Sequence, residues 1–153
     1  MFDARCTMHD AQCTMHDARC RMQDVRLKIY KNEIMNEVRF KFEDLHIWQG
    51  AMDLGEEIYK LIKQFPENER FNLSSQILRA GDSIALNISE GSIVQSKPEF
   101  KRFMGYAIRS LAEVITCLHK AKRREYLTLE KFNVYYKESF RLMNMMLAFR
   151  KKI

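Results

Sequence analysis

Apolar residues recur at steps of three and four through four stretches of this chain, which is the period of helices with one buried face. From Phe42 to Phe65 two seams run side by side, Leu45, Trp48, Met52, Gly55, Tyr59, Ile62 and Ile47, Ala51, Leu54, Ile58, Leu61, Phe65. Together they predict a first helix with a broad apolar face that touches two neighbours. Glu43 and Asp44 suit its first turn, Lys60 and Lys63 its last, and Pro66 ends it. The second stretch carries two stripes between Leu73 and Gly91. One is apolar (Leu73, Ile77, Ala80, Ile84, Ile88); the other, one position over, is polar (Gln76, Arg79, Ser83, Asn87, Glu90). Gly91 is expected at the C′ position that closes this helix.

Ser96-Lys-Pro-Glu99 reads as a capping box with Pro98 in the first turn, so a third helix starts there. Its seam is Phe100, Met104, Ala107, Leu111, Val114, Leu118 and Ala121, with Ser110 and Glu113 beside it. Thr128 is the expected N-cap of a last helix, which presents Phe132, Tyr136, Ser139, Met143 and Met146, with Phe140 and Leu147 alongside. The Met residues of this stripe read as core fill in preference to an adaptable groove. No strand pattern competes. Short links make each helix antiparallel to the last, so the prediction is an all-α, up-down-up-down antiparallel four-helix bundle over residues 41–153. Five Gly and two Pro in 153 residues agree with few tight turns, and the length supports one core.

The first forty residues stand apart from this pattern. Asp3–His9 (DARCTMH), Asp10–His16 (DAQCTMH) and Asp17–Gln23 (DARCRMQ) form a tandem heptapeptide. Three copies of the heptanucleotide GATGCAC, read in codons, translate as Asp-Ala-Arg-Cys-Thr-Met-His; Gln12 and Arg21 each require one base change. The expectation is a translated DNA repeat, disordered or upstream of the native start, with Met35 the better initiator. Two peptide-level alternatives are weaker. The Ala and Met seam makes a poor coiled coil over so few heptads, and Cys6, His9, Cys13, His16 and Cys20 fall on one stripe because any heptad repeat has that effect. Neither a disulfide framework nor a secretory or membrane-spanning segment is legible, which leads to a cytoplasmic assignment.

Net charge is +6, so an anionic partner becomes a candidate. The topology gathers Arg39, Lys41, Lys97, Lys101, Arg102, Arg150, Lys151 and Lys152 at one end of the bundle. It gathers Lys60, Lys63, Arg70, Lys120, Lys122, Arg123 and Arg124 at the other. Cations also suit helix C-termini in ordinary solvated proteins. Enzyme chemistry finds little support: His46 and His119 are isolated, Cys117 has no identifiable base, no inward Glu-x-x-His pairs occur, and no glycine-rich phosphate loop is present. No catalytic residue, metal or cofactor is therefore assigned.

FEDLHIWQGAMDL, FNLSSQILRAGDSIALNISEG and PEFKRFMGYAIRSLAEVITCL resemble the bacterial four-helix-bundle proteins first noticed as open reading frames inside 23S ribosomal RNA intervening sequences. The similarity runs from about Phe42 to Phe149. The accessory variability determinant of diversity-generating retroelements is a more distant likeness. The resemblance implies a homopentameric ring without known enzymatic activity and a suspected role in binding RNA or DNA. The family's polar signature falls on Gln76, Arg79, Ser83, Asn87, Glu90, Ser110 and Glu113, read here as structural and assembly residues, with Ser83, Asn87 and Glu90 expected in a buried or interface seam. Arg109 stands where the family usually has Gly, Ile115 where it usually has an acidic residue, and Gly81 and Ser89 where Ala is usual. Two functions follow as expectations. One is a nucleic-acid-binding ring that neutralises phosphates with Lys101, Arg102, Arg109, Arg123, Arg124, Lys151 and Lys152. The other is a scaffold for a protein partner such as a reverse transcriptase.

Overall fold

The computed structural model describes residues 39–94 and 96–153. The heptapeptide repeat, its cysteines and Met35 lie outside the described residues. Four α-helices follow one another: α1 (His46–Ile62), α2 (Ser75–Ile93), α3 (Lys97–Arg123) and α4 (Leu129–Lys152), and no strand occurs among the described residues. The fold is the antiparallel four-helix bundle that the periodicity implied.

Each boundary has a local cause, and several differ from the sequence expectation. Glu43 and Asp44 belong to a separate 3-10 turn, Lys41–Asp44, and α1 begins only after Leu45, whose backbone is extended. Phe42 packs a tilted ring against Trp48, centroids 5.3 Å apart, which pins this turn to the helix. At its other end α1 stops at Ile62, before Pro66: Gln64 and Phe65 bond to the carbonyls three residues back, tightening the last turn ahead of the proline. A five-residue π turn, Arg70–Ser74, then leads into α2.

Gly91 does not close α2. The helix runs on to Ile93, Gly91 is buried within it, and no glycine among the described residues has a positive φ. A Cβ at Gly91 would lie 2.7 Å from both Phe100 Cδ2 and Phe103 Cβ, so the glycine serves the close approach of α3. Gly81 has a related role, since a Cβ there would meet Ile58 Cδ1 at 3.0 Å. At the start of α3, Ser96 is extended and its carbonyl accepts from Phe100 N at 3.1 Å, but its side chain makes no capping bond. The capping box is thus present in sequence only. Thr128 does cap α4, accepting from Lys131 N at 3.3 Å.

Between α3 and α4 the chain reverses through a Schellman motif: Tyr126 N donates to Ala121 O and Glu125 N to Lys122 O. Glu125 takes the left-handed position with φ 61°, where glycine is usual.

Ile58, Leu61, Ile77, Ile84, Ile88, Met104, Leu111, Leu118 and Met146 are fully buried and belong to one continuous core. The seam of α1 from Ile47 to Phe65 enters it whole. Its other seam does so only in part: Trp48 and Ile62 are half-buried, whereas Met52 and Tyr59 are exposed. On α4, Phe132, Ser139 and Met146 are buried as the stripe required, joined by Leu142. Tyr136, Phe140 and Leu147 are 39%, 58% and 40% exposed, so α4 keeps a second apolar stripe facing outward. α3 packs along both α2 and α4, but α1 and α4 meet less closely, and between them lies a groove of about 620 Å³ floored by Leu54, Tyr135, Leu142 and Met145, on a different face of α4 from that stripe.

Candidate nucleic-acid interface

The seven basic residues singled out from the sequence fall in three places. α3 and α4 run antiparallel, and Arg150 Nε donates to the carbonyl of Lys101 at 3.2 Å. That bond brings Lys101 and Arg102, in the first turns of α3, to the same end as Lys151 and Lys152, and all four are exposed. Arg109 lies further along α3, where its guanidinium is 5.7 Å from the Tyr106 ring. Arg102 reaches the same ring, donating from Nε to the Tyr106 hydroxyl at 2.6 Å. Arg123 and Arg124 sit at the far end of α3, about 30 Å from Arg102 at 1.5 Å of rise per residue. The cations therefore form two end clusters and one residue between them, not one patch.

The polar signature splits as well. Ser83 Oγ and Ser110 Oγ are 2.9 Å apart across the α2–α3 seam, and Asn87 Nδ2 donates to Ser83 O and Oγ at 2.7 and 3.0 Å. Gln76 Nε2 donates to Glu113 Oε1 at 3.2 Å further along. Ser83, Asn87 and Ser110 are half-buried. Arg79 folds back onto Ser75 O at 3.3 Å, and Glu90 is exposed, so these two stand outside the hydrogen-bonded chain. The seam joins two helices of one protomer.

A third polar group escaped the sequence reading. Glu69, 7% exposed, lies in the α1–α2 connection. Its Oε1 accepts from Arg124 Nη1 at 2.7 Å and from the Tyr126 hydroxyl at 3.0 Å. Its Oε2 accepts from Asn72 Nδ2 at 2.9 Å and Leu73 N at 3.3 Å. Burial pushes this carboxyl up, but the bonds from Leu73 and Tyr126, the Arg124 charge and the Asn72 amide outweigh it and hold Glu69 below its ordinary value. The only local hint was an acidic residue four positions ahead of Leu73, where the apolar stripe of α2 begins. Two of its partners, Arg124 and Tyr126, come from 55 and 57 residues away, which no periodicity reports.

Little here suits catalysis. Cys117 is buried, and burial raises its thiol, opposite to what a nucleophile needs. His46 and His119 are exposed, and His119 packs its ring against Phe132 at 4.9 Å. Among the described residues no group of three or more His, Cys, Asp or Glu side chains is placed to hold a metal, and no helix is long and apolar enough to cross a membrane.

A family model described as 23S rRNA-intervening sequence protein matches residues 43–148. The chain belongs to that family. The match covers all of α1 and α2, all of α3, and α4 to within its last turn. Among solved structures, a protein of unknown function from the S23 ribosomal protein family of Bacteroides thetaiotaomicron VPI-5482 is similar, with a TM-score of 0.64 and 26% identity over 69% of this chain and 95% of the other. No curated protein matches. Family and bundle fold thus agree for this chain.

Proposed function

We propose that this protein is a non-enzymatic, oligomeric bundle of the cytoplasm that binds RNA or DNA through its basic surface, chiefly where Lys101, Arg102, Lys151 and Lys152 gather. The observation that carries this reading is the antiparallel docking of α3 and α4, which aligns the basic start of one with the basic end of the other. Four exposed cations within two helix ends neutralise phosphates without reading sequence. Arg123 and Arg124 supply a second contact about a helix length away, and Arg109 lies between.

Binding to a labelled oligonucleotide should fall steeply as salt rises. Replacing Lys151 and Lys152 by Ala should reduce the slope of log K against log salt by about 0.7 for each single-strand phosphate that is no longer neutralised. No binding at low ionic strength removes the proposal.

The outward apolar stripe of α4, Tyr136, Phe140 and Leu147, supports assembly from copies of this chain. Met52, Tyr59 and Leu86 offer a second apolar face on other helices. Two unlike faces suit a head-to-tail contact, which closes into a ring such as the pentamer the family resemblance implies. The same stripes also favour the second reading, a scaffold for a protein partner such as a reverse transcriptase; co-purification of a defined partner that survives nuclease treatment is its test.

A further inference from the structure

The end of the bundle made by the α1–α2 and α3–α4 connections displays an aromatic side chain that the core does not use. Phe71 is 89% exposed. A single exposed ring needs no explanation by itself. Two features distinguish this one. Its π turn is fixed from behind, because Glu69 receives bonds from Asn72 and from Leu73 N on the same turn and from Arg124 and Tyr126 on the facing connection. Phe71 is thus projected from a braced turn, with little backbone ordering left to lose on binding. It is also set among cations. Arg70 lies 5.5 Å from the ring centroid, Arg124 is anchored to the residue that braces the turn, and Arg123 is next to it and exposed. Two of the carboxylates at this end are engaged inward or locally, Glu69 with Arg124 at 2.7 Å and Glu67 with Arg70 at 3.2 Å, and Glu125 beside Arg124 is exposed.

An exposed ring on a braced turn, beside guanidiniums that keep outward donors, has the chemistry of a stacking platform with flanking phosphate contacts. Arg124 uses Nη1 on Glu69 and remains 40% exposed, with its other nitrogens able to donate outward. We propose that this end is a single-strand site, in which Phe71 stacks on an unpaired base of RNA or DNA while Arg123 and Arg124 hold the adjoining phosphates. A duplex already stacks its bases on one another, and inserting a ring would require unstacking a step. The site therefore selects single strands. This inference rests on the nucleic-acid reading above and assigns to the second basic end a task distinct from that of Lys101, Arg102, Lys151 and Lys152.

The test is fluorescence anisotropy on the full chain with oligo(dT), oligo(U) and a blunt duplex at low salt. Phe71→Ala should weaken both single strands by roughly 5- to 150-fold and leave the duplex unchanged, while Phe71→Trp restores binding and its emission is quenched by the oligonucleotide. An unchanged melting temperature shows that the loss is not one of folding. Single-strand affinity unaltered by Phe71→Ala, or an equal loss on duplex, overturns the stacking site. If Lys151→Ala and Lys152→Ala still weaken binding in that case, the nucleic-acid function survives without it. A wild-type protein that binds none of the three probes ends both.

Discussion

Two polar groups hold this bundle, and they are unlike in almost every respect. The α2–α3 seam of Ser83, Asn87 and Ser110 is neutral, half-buried and built on helices. Glu69 is charged, itself buried and built on connections, with Leu73 N buried beside it while its partners Arg124 and Asn72 reach the surface. The seam sets the level of one helix against its neighbour, and losing one of its bonds leaves groups that water can still reach. Glu69 ties the α1–α2 connection to the α3–α4 connection, and removing its carboxylate leaves the buried Leu73 N and the half-buried Tyr126 hydroxyl without their acceptor and breaks the bond to Arg124. Polar contacts on helices adjust register; polar contacts between connections close the molecule.

That contrast can be broken at several points. Glu69→Ala is expected to lower the melting temperature most, by on the order of 10 °C, because Arg124, Tyr126, Asn72 and Leu73 N all lose their acceptor. Thermal unfolding followed by circular dichroism reads it; a drop smaller than that from any seam variant would reverse the ranking. Glu69 also predicts a pH dependence. Its carboxyl is lowered in the folded protein, so its contribution is complete above the ordinary value of 4.5 and is lost as the pH falls through the lower folded value. The gap in melting temperature between wild type and Glu69→Gln should therefore be widest near neutrality and narrow below about pH 4.5.

Gly91→Ala, near one end of the seam, should cost about 1–3 kcal/mol, since its Cβ would press on Phe100 and Phe103. Denaturant titration measures it, and a neutral result would mean that α3 moves aside freely. Asn87→Leu should cost about 1 kcal/mol through loss of its bonds to Ser83. If the seam also governs assembly, light scattering on this variant will show an altered oligomer while affinity per protomer for an oligonucleotide holds; a normal oligomer that has lost only nucleic-acid binding would make the seam a ligand site. The smallest expected effect is a gain. Glu125→Gly relieves a left-handed backbone at φ 61° and should stabilise the α3–α4 turn by about 1 kcal/mol or less.

The seam was legible because Gln76, Ser83, Asn87, Ser110 and Glu113 keep helical spacing beside an apolar stripe. Arg79 and Glu90 keep the same spacing yet stay outside the chain of bonds within one protomer. Spacing assigns a face, not a partner. Gly91 shows the converse error. A glycine after a periodic stretch reads as a helix stop, whereas here α2 continues and the missing Cβ makes room for Phe100 and Phe103. The aromatic residues that give the basic ends their character, Tyr106 between Arg102 and Arg109 and Phe71 beside Arg70, carried no signal because their roles depend on exposure.

By itself the sequence determined four amphipathic helices, their order and direction, and the gathering of cations at both ends. These follow from a period that any local window contains and from links too short to permit another arrangement. Only the tertiary structure decided which of two apolar stripes on α1 and α4 is buried, where glycines let helices approach, and how Glu69 joins two distant connections. Those outcomes depend on which helix lies next to which and at what distance, and contacts between residues far apart in the chain have no period to reveal them.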